Sequence, residues 1–207
     1  MRQLQFITHQ TENCSYLRSA ALALEGGCRW IQLRMKDAPL SEVERTALEV
    51  QELCRRYGAT FILDDHVELA LKLKADGVHL GKTDMPVPEA RKLAGDWFII
   101  GGTANTFDDM QRLAAEGADY IGLGPFRFTH TKKNLSPIIG LEGYRRIMRQ
   151  CAAAGLRIPL VAIGGITIED IPPLLAAGVP GVALSSTILQ AADPVTETRR
   201  IMKLLSV

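Results

Sequence analysis

The sequence has no CxxC pair, and its four cysteines, Cys14, Cys28, Cys54 and Cys151, are scattered along the chain. That pattern excludes a disulfide framework and a redox dithiol, and leaves reduced packing thiols in a cytoplasmic protein. No His/Cys cluster has the spacing of zinc ligands. No apolar run approaches the roughly 20 residues needed to span a bilayer. The first residues, MRQLQFITHQ, enter a strand-like run at once and carry no signal-peptide pattern. There is no block of one charge sign: the formal net charge is +1, which gives no general attraction to nucleic acid or an anionic membrane. Any anion binding must therefore be local. Linkers and low-complexity segments are missing too. At 207 residues, 47% apolar and 23% charged, the chain is expected to form one domain over 1–207.

What the sequence does contain is a regular alternation. Short apolar runs at 4–8, 30–34, 60–63, 77–80, 98–100, 120–123, 159–163 and 181–184 read as strands. Amphipathic or capped segments at 15–25, 41–57, 67–73, 86–93, 107–116, 141–154 and 168–176, with a last one ending near Leu205, read as helices. Ser41 and Glu44 have capping-box spacing at the start of the second. Eight strand–helix units whose strands are apolar throughout predict a parallel sheet closed into a (β/α)8 TIM barrel. The open doubly wound alternative needs a Gly-rich dinucleotide turn after strand one, and Thr8-His9-Gln10-Thr11 is not one.

In such a barrel the chemistry lies at the C-terminal ends of the strands. Strand two ends in Gln32, Arg34 and Lys36, alternate residues that share a face. Two cations and an amide converging there call for an anion; a diphosphate fits, bound bidentately by Arg and by the Lys point charge. A local salt bridge, for instance to Asp37, is the plainer reading. Asp64 and Asp65 end strand three, and Asp84 follows strand four. Carboxylates beside a polyphosphate site suit Mg2+; a helix N-cap is the plainer role for one of the first two. Thr103 follows Gly101-Gly102 at the end of strand five, with Asn105 or Thr106 placed to cap the next helix. Gly164-Gly165 and Ser185-Ser186 end strands seven and eight, where this fold commonly builds a phosphate site from backbone N–H groups. The loop after strand six, broken open by Gly124-Pro125, carries Thr129, Thr131, Lys132 and Lys133, donors for anionic oxygens. His79 lies inside a strand and reads as a satisfied core histidine rather than a base. Together these residues outline two anion sites in one mouth, a layout for two substrates of which one loses diphosphate.

QLRMK, the Asp64-Asp65 pair, GVHLGKTDMP, GLGPFRFTHTKK, AIGGI and the terminal SSTI occur in that order. In this the chain resembles the thiamine-phosphate synthase family over nearly its whole length. The resemblance implies a transferase that joins hydroxymethylpyrimidine diphosphate to a thiazole phosphate, with Mg2+, releasing pyrophosphate by a dissociative route. Carried over by position, Gln32, Arg34, Lys36 and Lys132 would contact the diphosphate, and Asp65 and Asp84 would hold the metal. Thr103 would stand near the reacting centre, where the family usually has Ser, and Arg34, Lys36, Thr103 and Lys132 would be the catalytic set. Thr129 and Thr131 would line the thiazole-phosphate side, and Gly165, Ser185 and Ser186, with Gly164 also substrate-binding, would hold the thiazole phosphate. Asp64, substrate-binding and standing where Asn is usual, would alter contacts to the pyrimidine or the charge at the metal; His66 and Lys82 also depart from the family pattern. The implied partners are these small molecules, with no nucleic acid or membrane, and homo-oligomer formation stays open. The rival readings are a thiazole tautomerase, which needs no diphosphate site, and a non-catalytic binder of thiamine phosphate, which needs no metal carboxylates.

Overall fold

Strand formation here follows from short β-branched and apolar runs that are buried on both faces. In the computed structural model, which describes residues 3–128 and 137–206, they form β1 (Gln3–Ile7), β2 (Trp30–Leu33), β3 (Thr60–Asp64), β4 (Gly77–Leu80), β5 (Ile99–Ala104), β6 (Tyr120–Leu123), β7 (Leu160–Ile163) and β8 (Gly181–Leu184). All pair in parallel, in sequence order, and β8 returns to β1 to close the barrel. The helices are α1 (Tyr16–Glu25), α2 (Leu40–Arg56), α3 (Val67–Leu73), α4 (Val87–Ala94), α5 (Phe107–Ala115), α6 (Gly140–Ala153), α7 (Ile171–Ala176), α8 (Ser186–Leu189) and α9 (Pro194–Leu205). The predicted TIM barrel is the observed fold.

Alternation along each strand splits the apolar residues into two sets. One set, including Phe6, Ile31, Phe61, Val78, Ile121 and Val182, packs outward under the helices. The other is smaller: Ile7, Tyr120, Val161 and Ala183, with Trp30, Ile99 and Ile163 against them, fills the barrel interior. Polar residues share this inner face, with Gln5, Gln32, Asp64 and His79 all buried.

The helix starts are set by side chains that accept first-turn amides. Ser15 accepts from Arg18 N at 3.2 Å, Asp193 from Val195 and Thr196, and Thr106 forms a capping box with Asp109. The expected Ser41–Glu44 box does not form. The carbonyl of Pro39 takes the Glu42 and Val43 amides, so α2 begins one residue earlier and Ser41 falls inside its first turn. Glu44 instead receives Lys72 Nζ of α3 at 2.6 Å. Strand β5 runs on to Ala104 through the glycines expected to end it. The segment expected as one helix from 168 begins with a 3₁₀ turn, Ile168–Asp170. The short α8 directly after β8 was not expected from the sequence.

Candidate active site

The strand ends frame a cleft that is open to solvent. Gln32, Arg34, Lys36, Asp64, Asp65 and Thr103 line one side. Gly164, Gly165, Ser185 and Ser186 line the other. The structure thus brings together most of the residues singled out from the sequence. Asp84 lies just behind this wall, and Thr129, Thr131 and Lys132 lie outside the described residues.

Charge on the first side is closely balanced. Arg34 Nε lies 3.4 Å from Asp64 Oδ2, and Lys36 Nζ lies 3.4 Å from Asp65 Oδ2. Arg34 is thus paired with the end of β3. Neither Asp64 nor Asp65 caps α3, whose N-cap is His66 with no side-chain cap bond. Gln32 Nε2 donates to Asp64 Oδ1 at 2.5 Å. That fixes the amide, because turning it would set its oxygen against a carboxylate oxygen. Gln32 Oε1 then has no partner in the protein, the one buried side-chain atom so placed among the described residues. An orphaned acceptor facing a cleft wants an N–H donor from a ligand.

Asp65 takes a left-handed backbone, φ +66°, at the turn out of β3, and its amide donates to His79 O at 2.9 Å. This turn aims its carboxyl at Asp84. Burial pushes the Asp65 carboxyl above its ordinary range, the hydrogen bond and charge of Asp84 push it further, and Lys36 partly offsets them. Asp84 Oδ2 also receives the Gly81 amide at 2.6 Å. Two carboxylates held together beside an anion pocket fit a hard divalent cation such as Mg2+, which takes one or two carboxylates and completes its shell with water and substrate oxygens. No group of three or more His, Cys, Asp or Glu side chains gathers among the described residues, so the chain offers no closed metal cage there. Lys82 is drawn aside, 2.8 Å from Asp109 on α5.

The opposite side is built of backbone. Gly164 and Gly165 have φ of +97° and +67°, and both press on the segment after β6. A Cβ on Gly164 would lie 2.9 Å from Pro125, and one on Gly165 2.9 Å from Phe128 O. Arg127 of that segment donates to Gly165 O at 2.7 Å and makes a two-pronged pair with Asp170 at 2.7 and 3.0 Å. Thr187 Oγ1 donates to Ile166 O at 2.5 Å, tying α8 to the same turn. The result is a rigid concave turn whose amides suit a phosphate.

Residues not singled out from sequence also reach the cleft. Thr8 accepts the Arg34 amide at 3.2 Å, and Thr187 and Ile163 line the wall. His79 is buried as expected, between Tyr120 Oη and Thr103 Oγ1.

A family model described as thiamine monophosphate synthase matches residues 4–188. The thiamine-phosphate synthase of Phocaeicola vulgatus is 65% identical over 202 residues, 98% of this chain and 97% of the relative. That of Bacteroides fragilis is 65% identical over 204 residues, 99% of this chain and all of the relative. Among solved structures, the thiamine phosphate pyrophosphorylase of Pyrococcus furiosus superposes with a TM-score of 0.85 at 35% identity, covering 99% of this chain and 95% of its own. A 3-hexulose-6-phosphate synthase superposes at 0.72 with 17% identity, a likeness of fold alone.

Proposed function

The chain belongs to the thiamine monophosphate synthase family, and we propose that its cleft joins hydroxymethylpyrimidine diphosphate to a thiazole phosphate by dissociative loss of pyrophosphate. Its activity is thiamine-phosphate synthesis, a transferase reaction on small molecules. The observation that carries the two-substrate reading is the pairing, across one cleft, of the Arg34–Lys36–Asp65 side with the Gly164–Gly165–Ser185–Ser186 turn.

Arg34 and Lys36 bind the diphosphate and stabilise the charge that grows on it as the bond to the pyrimidine methylene breaks. Asp65 and Asp84 would hold Mg2+, which when bound neutralises diphosphate oxygens. Gln32 has its donor committed to Asp64, so we assign its Oε1 to a pyrimidine N–H and not to the diphosphate. Thr103, on the first side, is assigned to the reacting end of the pyrimidine. The aminopyrimidine ring donates electrons to the methylene cation, and the thiazole nitrogen attacks it. The glycine turn and the two serines hold the thiazole phosphate so that this nitrogen is in line. No protein nucleophile is needed, and orientation supplies much of the rate. Lys132 is assigned to the diphosphate, and Thr129 and Thr131 to the thiazole phosphate. A cytoplasmic location is proposed on the thiols, since Cys28, Cys54 and Cys151 are buried and unpaired.

The test is an endpoint assay with both substrates and Mg2+, alongside a sample in EDTA. Metal-dependent formation of thiamine phosphate and pyrophosphate in equal amounts is expected. Absence of product from a protein that still binds either substrate would overturn the proposal.

A further inference from the structure

Under the cleft floor lies a row of hydrogen bonds that the phosphate and metal chemistry does not use. Gln5 Nε2 donates to Tyr120 Oη at 3.0 Å. Tyr120 Oη lies 3.0 Å from His79 Nδ1, and His79 Nε2 lies 2.9 Å from Thr103 Oγ1. Gln5, Tyr120 and His79 are buried, and His79 and Thr103 line the cleft.

The path is built by two missing side chains. His79, Gly101 and Tyr120 are register partners on β4, β5 and β6. A Cβ on Gly101 would run into the Cζ, Cε1 and Oη atoms of Tyr120, so the glycine is what lets this ring cross β5 towards His79. On β6, Gly122 leaves the histidine its room, since a Cβ there would stand 3.3 Å from Cε1. Trp30 braces the tyrosine from its other side, edge to face at 4.7 Å.

The row has a direction. Burial pushes the Tyr120 phenol well above its ordinary value, so it keeps its proton. Its oxygen already accepts from Gln5, and its buried hydrogen needs an acceptor among its neighbours. His79 Nδ1 is that acceptor. A ring that accepts at Nδ1 carries its proton on Nε2, from which it goes to Thr103 Oγ1. Thr103 accepts from below and has its own hydrogen left for the cleft.

We propose that Gln5 and Tyr120 are positioning residues that fix His79 as its Nε2–H tautomer and so make Thr103 a hydrogen-bond donor to the pyrimidine substrate. The naming of that substrate rests on the synthase reading; the tautomer does not. Two measurements test the proposal. Nitrogen NMR of the full chain, with the His79 ring assigned by its loss in His79→Asn, is expected to show the Nε2–H form; the Nδ1–H form would overturn the proposal. A double-mutant cycle with Tyr120→Phe and Thr103→Val tests the consequence. Tyr120→Phe is expected to lower kcat about tenfold, with the KM for the pyrimidine diphosphate little changed, the loss of one oriented bond in the transition state. In the Thr103→Val background the same change should cost less than about twofold. An equal loss in both backgrounds would show a merely structural tyrosine and overturn the proposal. Failure of the synthase reading would show separately, as a wild-type chain with the Nε2–H tautomer and no product.

Discussion

Single residues in this cleft work in pairs, and their predictions follow from the partner left behind. Lys36→Ala removes the cation beside Asp65, and Asp84→Ala removes one of two facing carboxylates. Each should abolish turnover in the endpoint assay while the unfolding midpoint stays near that of wild type, because neither takes a side chain from the core. Near-normal rates in both would refute the site assignment. The Arg127–Asp170 pair makes a pH prediction. Burial pushes the Asp170 carboxyl up, but hydrogen bonds from Arg127 and Thr167 outweigh it and hold the group below its ordinary value. A lowered folded value means the pair stabilises the protein above the ordinary carboxyl value and loses that effect as pH falls through the folded one. Urea unfolding of wild type and Arg127→Gln should therefore differ at pH 7 and converge in acid; a constant gap would refute the linkage. At this scale the sequence was legible where residue type dictates role. Arg34, Lys36, Asp65 and the paired glycines reach the cleft as expected. The pairing of Arg34 with Asp64 was not legible, because Asp64 is far from it along the chain and only the β2–β3 register brings the two together. Gln5 and Tyr120 carried no signal at all: each sits in an apolar strand pattern, and its role depends on what crosses the barrel interior.

Elements were most legible where apolar runs end at abrupt stops. β4, β6, β8 and α3 have the boundaries expected from sequence. β5 was read too short because Gly101-Gly102 resembles a turn. In the barrel those glycines are strand residues whose missing side chains are occupied, Gly101 by the Tyr120 ring and Gly102 by Leu113. Gly101→Ala should therefore destabilise the protein by about 1–3 kcal/mol, the usual cost of overpacking a filled core. Chemical denaturation would measure it, and an unchanged midpoint would show that the tyrosine can move aside. The capping box of α2 failed for a reason of the same kind. Pro39, two residues before Ser41, supplied the helix start in place of the Ser–x–x–Glu pattern.

The whole molecule keeps its thiols out of chemistry. Burial pushes Cys28 up to about 11 and Cys54 up to about 12, and Cys151 is raised as well. A thiol-directed alkylating reagent at pH 8 should label Cys14 alone in the native chain and all four cysteines in denaturant. More than one label per native chain would contradict the buried placement. The closed sheet was legible as eight alternating units, although which strands meet is a property of the ring and not of any one unit. The β1–β8 pairing sets the order of folding events. It joins Gln3–Phe6 to Gly181–Leu184, so the closing contact spans most of the chain and carries the largest loop entropy. A nascent chain that has made only β1 to β7 has two bare edges, one on its first strand and one on its latest. Until Gly181–Leu184 emerges, those edges invite pairing with neighbouring chains, and a copy truncated before β8 would tend to aggregate rather than settle into a smaller barrel.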